Sequence, residues 1–226
     1  MIINTRPIYY ESAMLHDLAG YTVITSPVMT ARPVPWPISA LDSIDALIVT
    51  SQIALDCLDM SLVSHDLPIY VVGQATAAAA QNAGFADVNN GGGTAKKLLS
   101  VIDDASFNNG LYLSARHVSL DLACERPARI KRQVVYEMLS SQSFPHSVID
   151  ILTAGQRVVV PFYSPRSFEI FESLIAQHSL KHHLLTATAI AIHPRVFAKK
   201  AHLWDQTLVA AVPDGAGMIE ALKTAA

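Results

Sequence analysis

Few residues of this 226-residue sequence belong to a familiar catalytic motif. Cysteine is scarce, and Cys57 and Cys124 lie in apolar surroundings without CxxC spacing, which favours buried, reduced thiols over a disulfide or a metal site. The sequence also lacks a Ser-His-Asp order, an HExxH pattern, a P-loop and a GxGxxG turn after the first strand. These absences exclude the sequence signatures of zinc peptidases, P-loop nucleotide enzymes and Rossmann-type dehydrogenases.

Charge is scarce as well, since Asp, Glu, Lys and Arg make up 15% of the residues and the formal net charge is −3. Non-specific nucleic-acid binding requires a basic field, so this balance argues against it without excluding a local basic cleft. The histidines His178, His182 and His183 have no neighbouring cysteine or carboxylate to complete a zinc set. We therefore predict no metal site.

The sequence predicts neither a secretory signal nor a membrane span. Its first residues, MIINTRPIYY, lack a charged segment followed by an apolar one, which favours the cytoplasm. Residues 67–86 carry no charge, but Pro68, Gly73 and Gly84 interrupt them. A buried strand followed by an Ala-rich helix is therefore favoured over a membrane helix.

The clearest pattern that is present lies in residues 45–58, DALIVTSQIALDCL. A short apolar run, residues 46–49, predicts a buried strand, and apolar residues at helical spacing follow it. Thr50 and Ser51 stand between the two, at the carboxyl end of the strand. The same pattern returns in residues 158–174, where Ser164 opens the helix. In parallel α/β sheets this edge is where ligands bind.

Strands and helices alternate along the whole chain, which predicts an α/β fold with parallel sheets and helices on both faces. Three of the predicted helices have a weaker pattern than residues 45–58. They are a helix from Tyr9 to Leu18, a helix around Val118 to Ala123 and a helix that begins at Pro194. The segment Asn89 to Thr94, NNGGGT, is interpreted as a flexible loop, with an anion-binding nest as the alternative.

The domain organisation follows from a proline-rich segment that comes early in the chain. Residues 31–37, ARPVPWP, favour an extended linker, but residues 1–30 are too few to bury a sheet alone. We therefore predict an outer domain of residues 1–30 plus 140–226, an inserted domain of residues 38–133, and linkers at 31–37 and 134–139. The cleft between the domains is then the expected ligand site.

Several segments, in this order and spacing, resemble the uroporphyrinogen-III synthase family over nearly the whole chain. They are TRP, LIVTSQIALDCL, IYVVGQATAAAAQNAGF, GLYLSARHVSLDL, VVYE, VPFYSPRSFEIFESL and AIHPRVFAKKA. The resemblance implies two flavodoxin-like parallel-sheet domains joined by a two-stranded linker, with the active site in the inter-domain cleft. This sequence departs from the family's pattern at the last motif, where His193 and Val196 replace small or hydroxyl-bearing residues.

The resemblance also implies an activity. The family's enzymes need no cofactor and cyclise hydroxymethylbilane, a linear tetrapyrrole with eight carboxylates, to uroporphyrinogen III, with loss of water and inversion of ring D. We expect a monomer, because a hinged cleft works without a partner. The alternative is a non-catalytic two-domain binder of a small anionic ligand, which the same architecture would support.

Candidate substrate-binding residues stand at predicted strand ends, where hydroxyls, backbone N–H groups and guanidinium groups could bind carboxylates. They could instead cap helices or lie in solvent. These candidates are Arg6, Thr50, Ser51, Gly73, Gln74, Ser114, Arg116, Ser164, Arg166 and His193.

The resemblance implies a catalytic residue at Tyr136, in the segment VVYE, as the acid that assists loss of the hydroxyl. A phenol stays protonated at neutral pH and can hydrogen-bond a departing hydroxide. The alternative is a strand tyrosine whose ring packs and whose hydroxyl meets water.

Overall fold

The computed structural model describes residues 1–7, 17–102, 106–197 and 203–226. Within these ranges the chain divides into two compact units. The first unit comprises Met1–Thr30 and Leu139–Ala226, and the second comprises Ala31–Met138. None of the described helices is both long and apolar enough to cross a membrane.

Most of the described strands are short, and six of them consist mainly of buried residues, as expected where helices cover both faces of a sheet. They are β1 Ile2–Asn4, β2 Val23–Thr25, β3 Met29–Pro33, β4 Ala46–Val49, β5 Ile69–Val71, β6 Val88–Asn90, β7 Gly110–Ala115, β8 Ile130–Ser140, β9 Val158–Phe162, β10 Ala187–Ala191 and β11 Gln206–Val209.

The described α-helices lie between these strands. They are α1 Gln52–Asp56, α2 Gln74–Asn82, α3 Ala95–Val101, α4 Leu122–Glu125, α5 His146–Thr153, α6 Pro165–Gln177 and α7 Gly215–Ala225. Short 3-10 helices lie at Ile38–Leu41, Met60–Leu62, Lys181–Thr186 and Pro194–Phe197.

Each unit contains one sheet. The first unit has five strands in the order β11-β10-β9-β1-β2, and the second sheet has six in the order β3-β8-β7-β4-β5-β6. The neighbours β1, β2, β9, β10 and β11 pair in parallel, as do β4, β5, β6, β7 and β8. The predicted parallel α/β class is confirmed. The predicted domain boundaries, the two-stranded linker and the cleft stay predictions.

The core of the first unit is rich in aromatic side chains. Phe162 of β9 contacts Phe168 and Phe171 of α6, with ring centroids 5.0 and 5.4 Å apart. Trp204 packs against the same group, 5.7 Å from Phe162. Helix α6 begins where the sequence predicts, because Ser164 and Ser167 form a reciprocal capping box and Pro165 occupies the first turn.

Three predicted elements differ from the structure or fall outside its description. Instead of a helix over residues 118–123, the chain forms α4 at Leu122–Glu125, where the Asp121 carboxylate accepts a hydrogen bond from the Ala123 N–H. The predicted helix from Tyr9 to Leu18 falls largely on residues 8–16, which lie outside the described residues. The helix predicted from Pro194 begins as the 3-10 turn Pro194–Phe197, and its continuation over residues 198–202 also lies outside them.

The interpretation of Asn89 to Thr94 as a loop is only partly right, because Asn89 and Asn90 belong to strand β6. Gly91, which follows this strand, approaches the helix α3 closely. A Cβ added there would lie 2.6 Å from the Cα of Leu98, so no larger residue fits.

Candidate active site

The second unit has a pocket of about 410 Å³ at the carboxyl ends of its parallel strands. This size falls in the range of small-molecule sites, roughly 300–1,000 Å³. The lining comes from the turns after β4 and β5, the start of α3, β7 and the loop that follows it, and the middle of β8. The lining residues are Thr50, Ser51, Val72, Gly93, Thr94, Ala95, Tyr112, Ala115, His117, Val118, Ser119, Leu120 and Tyr136.

Two predicted residues, Thr50 and Ser51, lie in this pocket. Ser51 is the N-cap of α1, and its hydroxyl accepts a hydrogen bond from the Ile53 N–H at 3.3 Å. The Thr50 hydroxyl lies 3.3 Å from the hydroxyl of Tyr112 on the neighbouring strand. Burial raises the pKa of the Tyr112 phenol, and the hydrogen bond with Thr50 acts in the opposite sense without outweighing it. The pocket therefore presents neutral hydroxyl donors.

Tyr136 also lines the pocket, with 6% of its surface exposed. A register shift between Ser114 and Ala115 places Tyr136, instead of Val135, opposite Ala115. Such a bulge re-aims the side chains that follow it. Tyr136 is held there by its backbone, because its carbonyl accepts a hydrogen bond from the Arg116 N–H at 2.8 Å.

The predicted residues Ser114 and Arg116 have their side chains bound within the protein. The Ser114 hydroxyl donates to the Ala115 carbonyl at 3.1 Å and accepts from Arg132 Nε at 2.8 Å. Arg116 Nε donates to Glu137 at 2.9 Å, and Arg32 Nε binds the same carboxylate at 2.8 Å. Hydrogen bonds from Arg32 and then Arg116 hold the pKa of Glu137 below its usual value.

Arg132 is a residue that the sequence analysis did not single out. Its guanidinium donates to the carbonyls of Ala115 and Arg116, at 2.7 and 2.9 Å, and to the Asp121 carboxylate at 2.7 Å. These contacts fix both ends of residues 115–121, which form one wall of the pocket. Nothing in the local sequence reveals this role, because it depends on the pairing of β7 with β8.

Gly73 and Gln74 lie at the start of α2, and neither belongs to the pocket lining. Gly73 is the N-cap, and Gln74 is exposed, with its side-chain oxygen accepting from Asn90 Nδ2 at 3.2 Å. A Cβ at Gly73 would meet Gly93 only at 3.9 Å, so this turn has room for a larger residue.

The other predicted residues belong to the first unit. Arg6 follows β1, and its guanidinium carbon lies 4.2 Å from the centre of the Tyr163 ring, near the end of the adjacent β9. Burial raises the pKa of Tyr163, and the charge of Arg6 opposes this shift. The structure thus brings Arg6 and the β9 end together.

Ser164, Arg166 and His193 stand at the same edge of the first unit's sheet. The Ser164 hydroxyl accepts from the Ser167 N–H at 3.1 Å, and Arg166 lies exposed in the first turn of α6. His193, after β10, accepts from the Arg195 N–H through Nδ1 at 3.2 Å and is exposed. Ser164 and His193 therefore also serve as caps.

A larger cavity, about 660 Å³, lies along α6 and is lined mainly by apolar residues such as Phe168, Val196 and Leu203. It contains none of the predicted site residues, and its lining includes two cations, Lys181 and Arg195, together with two carboxylates. In the described part of the chain, no three His, Cys, Asp or Glu side chains cluster as metal ligands would.

The strand order, the parallel pairing and the pocket define a class: an α/β protein with a hydroxyl-lined pocket at the carboxyl ends of its strands, which is the edge where parallel sheets bind ligands. The family model for uroporphyrinogen-III synthase HemD matches residues 13–220. The chain therefore belongs to the uroporphyrinogen-III synthase family.

The fold has solved relatives. A uroporphyrinogen-III synthetase from Helicobacter pylori shares 17% identity, with 99% of this chain and 98% of the other covered and a TM-score of 0.65. A mutant uroporphyrinogen III synthase from Thermus thermophilus shares 18% identity, with 99% and 97% covered and a TM-score of 0.53. No curated protein matches the sequence. At these sequence identities, the structural similarity shows that the fold is shared.

Proposed function

We propose that this chain cyclises hydroxymethylbilane to uroporphyrinogen III, with loss of water and inversion of ring D. The observation that carries the proposal is the family match over residues 13–220. The pocket agrees with it chemically, because the hydroxyl groups of its lining suit a substrate whose charged groups are carboxylates.

The reaction does not require a nucleophilic side chain from the protein. The pyrrole nitrogen electrons of the substrate expel the terminal hydroxyl as water, which leaves an electrophilic methylene carbon. This carbon bonds to the substituted α-carbon of ring D and forms a spiro intermediate. The older bond from that α-carbon to its bridging methylene then breaks, and the freed methylene bonds to the other α-carbon of ring D, which loses its proton, so that the macrocycle closes with ring D inverted. The protein has to hold a flexible chain in one cyclic geometry and supply a proton to the leaving hydroxyl. This explains why the sequence has donors at strand ends and lacks a catalytic triad.

We assign the substrate carboxylates to the donors at the carboxyl edges of the two sheets. In the second unit Thr50 and Ser51 are the strongest candidates, since both line the pocket, with Gly73, Gln74, Ser114 and Arg116 around it. In the first unit the candidates are Arg6, Ser164, Arg166 and His193.

Tyr136 is proposed as the proton donor to the leaving hydroxyl, because its side chain lines the pocket and its backbone is fixed by the bulge. Since the pyrroles supply the main driving force, Tyr136→Phe should lower kcat by roughly 10- to 100-fold. Substrate KM and melting temperature should change little. Wild-type turnover in a folded Tyr136→Phe protein would remove this phenol from the mechanism.

Isomer analysis tests the function directly. The protein is incubated with freshly prepared hydroxymethylbilane, the products are oxidised, and the porphyrin isomers are separated by chromatography. Mainly isomer III is expected. The substrate closes without inversion when no enzyme is present, so mainly isomer I, as in the blank, would favour the non-catalytic binder.

We further propose a monomeric, cytoplasmic enzyme that needs no cofactor and binds no nucleic acid. Cys57 is partly buried and Cys124 is exposed, so the expectation that both thiols are buried is wrong; both are free, which agrees with a reducing compartment. The net charge of −3 does not favour a nucleic-acid partner.

A further inference from the structure

The hydroxyl of Tyr112 is a polar group in the pocket that the sequence analysis did not foresee. Tyr112 lies in β7, has 1% of its surface exposed, and packs its ring among apolar side chains such as Ile48 and Leu122. Its hydroxyl lies 3.3 Å from Oγ1 of Thr50, at the end of the neighbouring β4. The two hydroxyls connect the core of the sheet with the pocket.

The direction of this hydrogen bond decides what Thr50 can do. A carboxylate only accepts hydrogen bonds, and a threonine hydroxyl has one proton to donate. If Thr50 gives that proton to Tyr112, it has none for the ligand. If Tyr112 is the donor, the Thr50 proton is available to the pocket.

Burial favours the second arrangement. Tyr112 is 1% exposed, so its hydroxyl proton needs an acceptor within the protein, and the Thr50 hydroxyl lies within hydrogen-bond distance of it. A donor behind a hydroxyl also polarises it and strengthens the hydrogen bond that it donates in turn.

We propose that Tyr112 is a positioning residue whose hydroxyl donates to Thr50 and thereby directs the Thr50 proton into the pocket, toward a carboxylate of the ligand. This inference rests on the proposed function in one respect, namely that the ligand is a polycarboxylate. It assigns Tyr112 no contact with the substrate.

A double-mutant cycle tests the proposal with Tyr112→Phe, Thr50→Val and the double variant, because both changes remove a hydroxyl and keep the shape. Tyr112→Phe should raise KM about 2- to 10-fold with kcat nearly unchanged. Thr50→Val should raise KM about 10-fold or more, since a hydrogen bond to a charged group is lost. The double variant should be no worse than Thr50→Val.

Tyr70→Phe is the matched control. Tyr70 lies in the adjacent β5, belongs to the same buried cluster and does not line the pocket. The Tyr70→Phe variant removes a hydroxyl from the same face of the same sheet. Because this hydroxyl does not line the pocket, KM should stay at the wild-type value. Melting temperatures of all variants separate loss of binding from loss of fold.

The outcomes distinguish the inference from the function. A KM unchanged in Tyr112→Phe, an effect on kcat alone, or effects that multiply in the double variant would overturn the role of Tyr112. Isomer I from the wild type would overturn the proposed function instead. In that event calorimetric titration with uroporphyrinogen III decides the inference without turnover, and equal Kd values for wild type and Tyr112→Phe would overturn it.

Discussion

Arg6 and Arg116 show how two residues with the same predicted role differ once their surroundings are known. Arg6 is partly buried and stacks on the Tyr163 ring, whereas the Arg116 side chain is 50% exposed and pairs with Glu137. A guanidinium held against a ring loses little freedom when it binds a carboxylate. An exposed guanidinium loses more side-chain rotamer freedom when it binds.

Arg6→Ala should therefore weaken substrate binding more than Arg116→Ala does. A lost charge-assisted contact costs roughly 1.5–3 kcal/mol where it is partly desolvated, which corresponds to a KM about 10- to 150-fold higher for Arg6→Ala. Steady-state kinetics of both variants, with melting temperatures as a control for folding, provide the measurement. Equal KM values in both variants would contradict the ranking, and wild-type kinetics in both would assign the two residues to the surface.

The residues that the sequence could predict are those whose role depends on the adjacent chain. Thr50 and Ser51 lie in the pocket because a strand-to-helix turn puts them at its edge. Ser114 stands at a similar turn, yet its hydroxyl is bound by Arg132 from another strand. Tyr112 was missed for the same reason, since a tyrosine within an apolar strand has the pattern of a core residue.

At the scale of elements, Glu137 joins three segments of the second sheet's edge. It belongs to β8 and accepts hydrogen bonds from Arg32 of β3 and Arg116, which follows β7. β3 is the edge strand, and Val34 N–H donates to the Val135 carbonyl at 2.9 Å just beyond it. The carboxylate thus reinforces the attachment of the proline-rich edge.

The contribution of Glu137 to stability should depend on pH in a defined direction. Its pKa is lowered in the folded protein from the ordinary 4.5, so the stabilisation is fully present above that value and is lost as pH falls through the lowered pKa. Glu137→Gln should therefore melt a few degrees below wild type at pH 7, with the gap closing in acid. Thermal melts of both proteins from pH 7 to pH 3 provide the measurement, and a gap that grows in acid would contradict the assignment.

Elements were predictable where apolar periodicity is strong. Strands β4 and β9 and helix α6 lie where the sequence places them, because each has a continuous buried run or a helical stripe. Strand β6 was missed because its sequence, VNN, is polar, and its pairing with β5 decides its conformation. The bulge at Ala115 depends likewise on β8 and has no local signal.

At the scale of the whole molecule, residues near the two ends of the chain build one sheet. β1 lies between β2 and β9, and β10 and β11 continue from β9. The alternation of strands and helices was enough to predict parallel α/β sheets, and that prediction is confirmed. The strand order could not be read from local patterns, because it depends on which distant strands meet.

Hydrogen exchange should show that β1 and β9 open together with β10 and separately from β4 and β5. Ile190 of β10 and Ile48 of β4 are both fully buried, and changing either to Ala should lower the opening free energy of its own unit by about 2–5 kcal/mol. Ile190→Ala should speed exchange of the β1 and β9 amides and leave β4 and β5 unchanged. Ile48→Ala should speed exchange of the β4 and β5 amides and leave β1 and β9 unchanged. Exchange of the β1 amides that follows Ile48→Ala would contradict the grouping.

The position of β1 between β2 and β9 also has a consequence for the nascent chain on the ribosome. About 130 residues separate β2 from β9, so synthesis at about 5–20 residues per second leaves the first strands without their partner for roughly 6 to 26 seconds. Two strands and a crossover are too few to be stable alone. The second unit, which is continuous in sequence, can meanwhile complete its sheet, so β1 and β2 complete their own sheet only after the second unit has been translated.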